Sequence, residues 1–150
     1  MNRGMRESLN RMRWLLFLTA LFPIVAIGGN RPQINFLLHC SGCHQQDGSG
    51  SSENGIPNMK NRVGYFLRIP EGRAFLVQVP GTSQSSLSDG ETAELLNWMV
   101  RALSPDAVPP NFSPYTRDEV TRLRASSLAD VPAMRASVVG RLQKMGYWIE

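Results

Sequence analysis

Cys40, Cys43 and His44 carry the most specific chemistry in this chain, within the run Cys40-Ser41-Gly42-Cys43-His44. Two thiols three positions apart can be reached from a single turn of backbone, and an imidazole follows directly behind the second. At this spacing each thiol adds to one vinyl group of a c-type haem, and the histidine faces the iron as its proximal ligand. A Cys-x-x-Cys redox pair would use the same two thiols, but no βαβ pattern surrounds them and His44 would have no role. The chain holds 2 cysteines in all, so no structural disulfide competes for them.

No paired acids, nucleophile triad or phosphate-binding loop accompanies the motif, so a separate catalytic apparatus is not expected. The formal net charge of +4 does not indicate nucleic acid. Arg3, Arg6, Arg11 and Arg13 stand near the N-terminus against one acid there, Glu7, and the remaining 12 basic and 11 acidic residues nearly cancel. These arginines precede an uncharged apolar run, Trp14 to Ile27, too short to span a bilayer comfortably, and small residues follow at Gly28 and Gly29. Residues 1–28 therefore read as a signal peptide, or failing cleavage an N-terminal anchor. Either outcome puts the remainder in the periplasm, with membrane contact only if the leader is uncleaved.

The elements that must position the motif follow in order. Residues 33–39 form a short helical approach, with Phe36 one turn before Cys40 and on the same face. Residues 45–55 form a loop, 60–69 have enough apolar residues to reach the core, and Pro70-Glu71-Gly72 reads as a turn. Residues 73–79 make two helical turns that Pro80-Gly81 breaks, and 82–87 form a polar loop. Ser88 and Glu91 have capping-box spacing and open a helix over 89–103 with Leu95, Trp98, Met99 and Ala102 as its inward stripe. Pro105, Pro109, Pro110 and Pro114 mark a linker. Two more helix starts follow, Thr116 to Glu119 with capping-box spacing and Asp130-Val131-Pro132.

These residues resemble a small class I cytochrome c domain over about 31–103. The resemblance rests on the motif, on Phe36 one turn before it, and on Leu95 and Trp98 three apart on the last helix of that segment. It implies an all-α fold of three to four helices around one covalent haem c, with Cys40 and Cys43 as attachment points and His44 as proximal ligand. It further implies that Pro57, thirteen residues after His44, offers its carbonyl to the outer ring nitrogen of that histidine. The expected organisation is a leader over 1–28, a cytochrome c domain over 29–103, and a proline-rich linker with a helical extension over 104–150.

One feature departs from the family's pattern. A methionine, the distal iron ligand, usually stands in the loop before the last helix, and Pro80 to Leu87 holds no methionine, histidine or lysine. Met59 is the candidate nearest in sequence, with core packing beside the haem as its other reading. Met99, Met134 and Met145 read as packing, Lys60 would first have to lose a proton, and His39 reads as a surface residue. The expected function is a periplasmic one-electron carrier, not an enzyme, working between redox protein partners such as a dehydrogenase, an oxidase or a membrane complex. A haem sensor or peroxidase-like protein with an open distal site, and a haem subunit of a larger dehydrogenase complex, are the alternatives. Lys60, Arg62, Arg68 and Arg73 are a basic cluster that would steer an acidic partner, neutralise haem propionates or simply be solvated.

Overall fold

A computed structural model describes residues 30–126 and 128–149; the leader expected at 1–28 lies outside them. Among the described residues the chain is helical, with no strand beyond an isolated bridge between Ser51 and Ile56. The all-α expectation holds. Helix α1 (Arg31–His39) takes Pro32 in its first turn and fully buries one side chain, Phe36. It runs directly into the single turn α2 (Ser41–His44).

Helix α5 (Asp89–Leu103) is the spine against which the rest packs. Its capping box is closed in both directions: the Ser88 hydroxyl accepts the Glu91 N–H, and the Glu91 carboxylate accepts the Ser88 N–H at 3.0 Å. Leu95, Leu96, Met99, Val100 and Leu103 are buried along it. Trp98 meets Phe36 with the ring centroids 5.6 Å apart, which locks the crossing of α1 on α5. Aromatic pairs of this kind contribute about 0.5–1.5 kcal/mol beyond their burial.

Between these two helices lie a 3-10 segment (Val63–Arg68) and helix α3 (Pro70–Gln78). Phe66 stacks on Phe75 across them at 5.7 Å. The turn expected at 70–72 is instead the first turn of α3, because a proline at the start of a helix loses no hydrogen bond it would otherwise have made. Pro80 ends this run and by the same logic opens a further turn, α4 (Pro80–Ser83), which extends into the stretch 82–87 expected to be loop.

The C-terminal third folds back onto this body. Helix α6 (Arg117–Arg124) packs on α5 and α3, and helix α7 (Val131–Lys144) packs on α3 and the 3-10 segment. Val120, Val138, Leu142 and Ile149 join the same buried cluster as Phe36 and Leu96. The tie is also polar. Tyr115 donates its hydroxyl to the Arg73 carbonyl at 2.8 Å and exchanges two hydrogen bonds with the Asn97 amide. Arg73 grips both carboxylate oxygens of Glu119 at 2.6 and 2.7 Å, reaches the Ser113 carbonyl, and lies 4.0 Å over the Tyr115 ring. The capping box expected at Thr116 is therefore half made. The Thr116 hydroxyl accepts the Glu119 N–H, but the Glu119 side chain turns to Arg73.

The Arg73 guanidinium holds the Glu119 carboxyl below its ordinary value of 4.5, against a smaller opposing effect of burial. A folded-state value below the unfolded one gives stability that is complete above about pH 4.5 and is lost as the pH falls through the folded value. Glu119→Gln should cost about 1–2 kcal/mol at neutral pH, the size of a charge-assisted hydrogen-bonded pair that is largely out of solvent. Urea unfolding of the two holoproteins as a function of pH checks this, with the gap between them closing below pH 4.5.

Candidate functional site

The site begins where α1 ends. Cys40 is the residue at which α1 stops, its N–H still bonded to the Phe36 carbonyl at 2.9 Å, and its own carbonyl receives the His44 N–H at 3.0 Å. One turn thus presents Cys40, Cys43 and His44 together. Cys40 is partly covered and Cys43 is exposed. Burial, reinforced by the neighbouring Cys43, pushes the Cys40 thiol above its ordinary value. A thiol-disulfide exchange pair works through a depressed value, and the shift at Cys40 runs the opposite way.

The loop after His44 folds back to serve the histidine. Gly50 donates its N–H to the His44 carbonyl at 2.9 Å, and Ser51 and Ile56 pair across the bridge. Pro57 is thereby brought against the imidazole, its carbonyl 3.3 Å from Nδ1. A carbonyl can only accept, so Nδ1 carries the proton and the Nε2 lone pair is left for a metal. Burial lowers the His44 value from 6.5, opposed in part by the Pro57 carbonyl. The ring is thus neutral at physiological pH, as a ligand must be.

Cys40, Cys43 and His44 open onto a cavity of about 640 Å³, within the roughly 300–1,000 Å³ of cofactor sites. Phe66, Phe75, Leu76 and Val79 give it an apolar wall, and Pro57 and Met59 line it beside His44. Two thiols and an imidazole on the rim of a large apolar chamber fit a haem bound covalently through Cys40 and Cys43, with His44 directed at its iron.

Two methionines, Met59 and Met99, line the cavity. Met99 is 6% exposed on α5, and Met59 is half-buried, its N–H held by the Gly48 carbonyl at 2.8 Å. Met134 and Met145, read as packing from the sequence, are instead 38% and 51% exposed, because the buried face of α7 is carried by Val138, Val139 and Leu142. His39 is exposed on the cavity rim. The basic cluster is dispersed: Lys60 pairs with Asp47 at 3.0 Å, Arg73 is committed to Glu119, and Arg68 lies 4.5 Å over the Tyr147 ring.

The sequence left open whether the helices of the extension cap the domain that carries the motif or form a partner surface, and the structure shows them supplying a wall. Val131, Pro132, Arg135 and Ala136 from α7, with Ile149 behind it, line the same cavity as the motif. Val131 and Arg135 are one turn apart on one helix face, a spacing readable in advance, but nothing in it says which chamber that face meets.

No protein-family model matches the chain, and no solved structure matches it. Among curated proteins it is similar to cytochrome c-552 of Thermus thermophilus, 31% identical over 107 residues that cover 59% of this chain and 81% of that protein. A second cytochrome c-552, from a named strain of Thermus thermophilus, is 31% identical over 107 residues as well, with 72% of its length covered. A share of 59% of 150 residues is longer than 29–103, so the likeness runs beyond that segment.

Gly50 gives the arrangement a testable weak point. It has a φ of +70°, and a Cβ there would stand 2.5 Å from the carbonyl oxygens of Ile56 and Pro57. Gly50→Ala should displace the Pro57 carbonyl from His44, lowering the basicity of the ring and raising the midpoint potential of the holoprotein. Gly55 has a nearly equal φ of +69° with nothing within 4 Å of such a Cβ. Gly55→Ala should therefore show only the backbone cost of about 1–2 kcal/mol, with the potential unmoved. Potentiometric titration alongside chemical unfolding separates the two.

Proposed function

The chain belongs to the c-type cytochromes, which hold haem c covalently, and from that premise we propose that it is a class I periplasmic one-electron carrier. The observation that carries the reading is the convergence of Cys40, Cys43 and the Pro57-oriented His44 on one large apolar cavity. The haem, when bound, supplies an iron that takes up and gives back one electron.

What the chain's own residues do follows from their placement. Cys40 and Cys43 tether the group at the end of α1, so it stays in place even when iron ligands exchange. His44 donates Nδ1–H to Pro57 and keeps Nε2 toward the metal. Phe66, Phe75, Leu76 and Val79 exclude water, which lowers the local dielectric and so raises the cost of charge on the iron. Of the two thioethers on the cavity, Met99 is 6% exposed in the packed face of a capped helix, whereas Met59 is only half-buried and lies outside the helices. Met59 is on that ground the candidate for the sixth iron position.

Partner docking belongs to the rim near the motif. Cys43 is exposed, and Leu38, Leu37 and Ile34 on α1 are 73%, 40% and 49% exposed beside it. An apolar patch flanking a cofactor edge suits the brief contacts of redox proteins. Among the described residues no helix is long and apolar enough to cross a membrane. The periplasmic assignment rests on the leader pattern over 1–28.

Absorption spectra of the purified protein test the reading. The ferric and ferrous forms should interconvert reversibly with one electron and be low-spin in both. Cys43→Ser should leave a single thioether, seen as a shifted band after denaturation in alkaline pyridine. Met59→Leu should convert the spectrum to high-spin while Met99→Leu does not. A native protein that is high-spin in both states and binds carbon monoxide at once would instead favour a haem sensor or peroxidase-like role.

A further inference from the structure

We infer that Arg124 is the positioning residue that holds the cavity wall formed by residues 80–82 shut over the haem. The inference rests on the haem occupying the cavity described above. Pro80, Gly81 and Thr82 line that cavity, at the start of a stretch rich in small polar residues, Gly81 to Ser86. Such a segment brings almost no apolar surface to bury, and its hydrophobic anchors are Val79 before it and Leu87, 8% exposed, after it. Apart from the backbone bonds of the single turn α4 it has little of its own to hold it, and segments with few buried contacts occupy the low end of local stability.

Arg124, at the last turn of α6, reaches into this stretch from the extension. One terminal nitrogen donates to the Leu87 carbonyl at 2.9 Å and to Asp89 at 2.8 Å. The other lies 2.9 Å from the Thr82 carbonyl, 2.9 Å from the Ser85 hydroxyl and 2.8 Å from the Thr92 hydroxyl. Five acceptors share four N–H groups, a demand that a planar guanidinium fork meets and a single ammonium does not. The side chain is 15% exposed and Thr92 is wholly buried, so water competes poorly for these bonds. Ser85 in turn donates to the Thr82 carbonyl, so the wall residue Thr82 is held directly and through its neighbour. Asp89, bonded also by the Thr121 hydroxyl at 2.6 Å, fixes the guanidinium from the α5 side.

The same stretch is where the class I pattern would place the distal ligand, and here it holds no donor side chain for iron. The extension thus supplies by hydrogen bonding the fixity that an iron bond would otherwise give this wall.

The test compares the wild-type holoprotein with Arg124→Gln, Arg124→Lys and Val120→Ala. Val120 is fully buried on the same helix, so its truncation weakens α6 packing without touching the polar ties. Two quantities are read: amide hydrogen exchange over residues 81–87, and the rate at which carbon monoxide binds the ferrous protein. In Arg124→Gln both should rise by about tenfold, in Arg124→Lys by less, and in Val120→Ala by neither despite a comparable loss of thermal stability. The inference is overturned if Arg124→Gln matches the wild type, including the case in which carbon monoxide binds neither, or if Val120→Ala shows the same acceleration. It is also overturned if exchange rises while ligand entry does not. Should Arg124→Gln fail to assemble, Arg124→Lys decides by the same two readings. A wild-type protein without a haem spectrum would sink the proposed function itself, a failure distinguishable from all of these.

Discussion

The structure depends on one constraint: its core is organised around a group that is not polypeptide. The apolar side chains of the Val63–Arg68 segment, α3 and α5 do not all close on one another. Phe66, Phe75, Leu76 and Met99 turn toward a chamber instead. The segment 29–103, which carries the motif, has 75 residues and by itself is near the size at which a protein core alone is marginal. A large covalently bound macrocycle resolves that limit, and the two cysteines must then sit where tether and core coincide. Cys40, at the end of the helix whose Phe36 locks α1 to α5, meets that condition. Folding and cofactor attachment are therefore one problem for this chain.

The second organising feature is a pair of reciprocal guanidinium latches. Arg73 reaches from the body to Glu119 and Ser113 in the extension, and Arg124 reaches from the extension to Asp89, Thr82 and Leu87 in the body. Each combines a carboxylate with backbone carbonyls, a recognition that demands a planar fork in one orientation. Apolar burial at Val120, Val138 and Leu142 supplies attraction without direction. The latches supply the direction, fixing which face of α6 meets α5 and, through α6, where the following α7 crosses the cavity.

The parts legible in the sequence were those decided locally. The motif, the α5 boundaries, the capping box at Ser88 and the pairing of Pro57 with His44 all follow from short-range spacing or from the family pattern those spacings support. What was not legible was settled between distant segments. Glu119 has capping-box spacing from Thr116, yet Arg73, 46 residues away, takes its carboxylate, because a partly buried bidentate pair outweighs a local bond at a helix end. Met134 has the spacing of a core residue on α7, yet Val138 and Leu142 define the buried stripe and leave it outside. Pro70 and Pro80 are breakers on a linear reading, and both prove to be starting residues. The cavity wall from Val131 to Ala136 depends on how α7 is aimed, which no periodicity contains.

The two sides of the cofactor site are thus secured by different physics. On the His44 side the chain uses sequence-near geometry: a glycine-permitted turn, a carbonyl aimed at Nδ1 and an imidazole kept neutral by burial. A one-electron carrier gains from this, because a ligand whose orientation and tautomer are fixed changes little when the charge on the metal changes. The wall at residues 80–82 offers the metal no donor and so gains no rigidity from coordination. Beyond the backbone bonds of the single turn α4, its order comes from the extension, through Arg124 on α6. Residues 104–150 hold none of the motif's chemistry, yet they complete the chamber in which that chemistry takes place. Losing them would leave the motif, Pro57 and both cysteines in place while removing one wall of the cavity and the clamp on another.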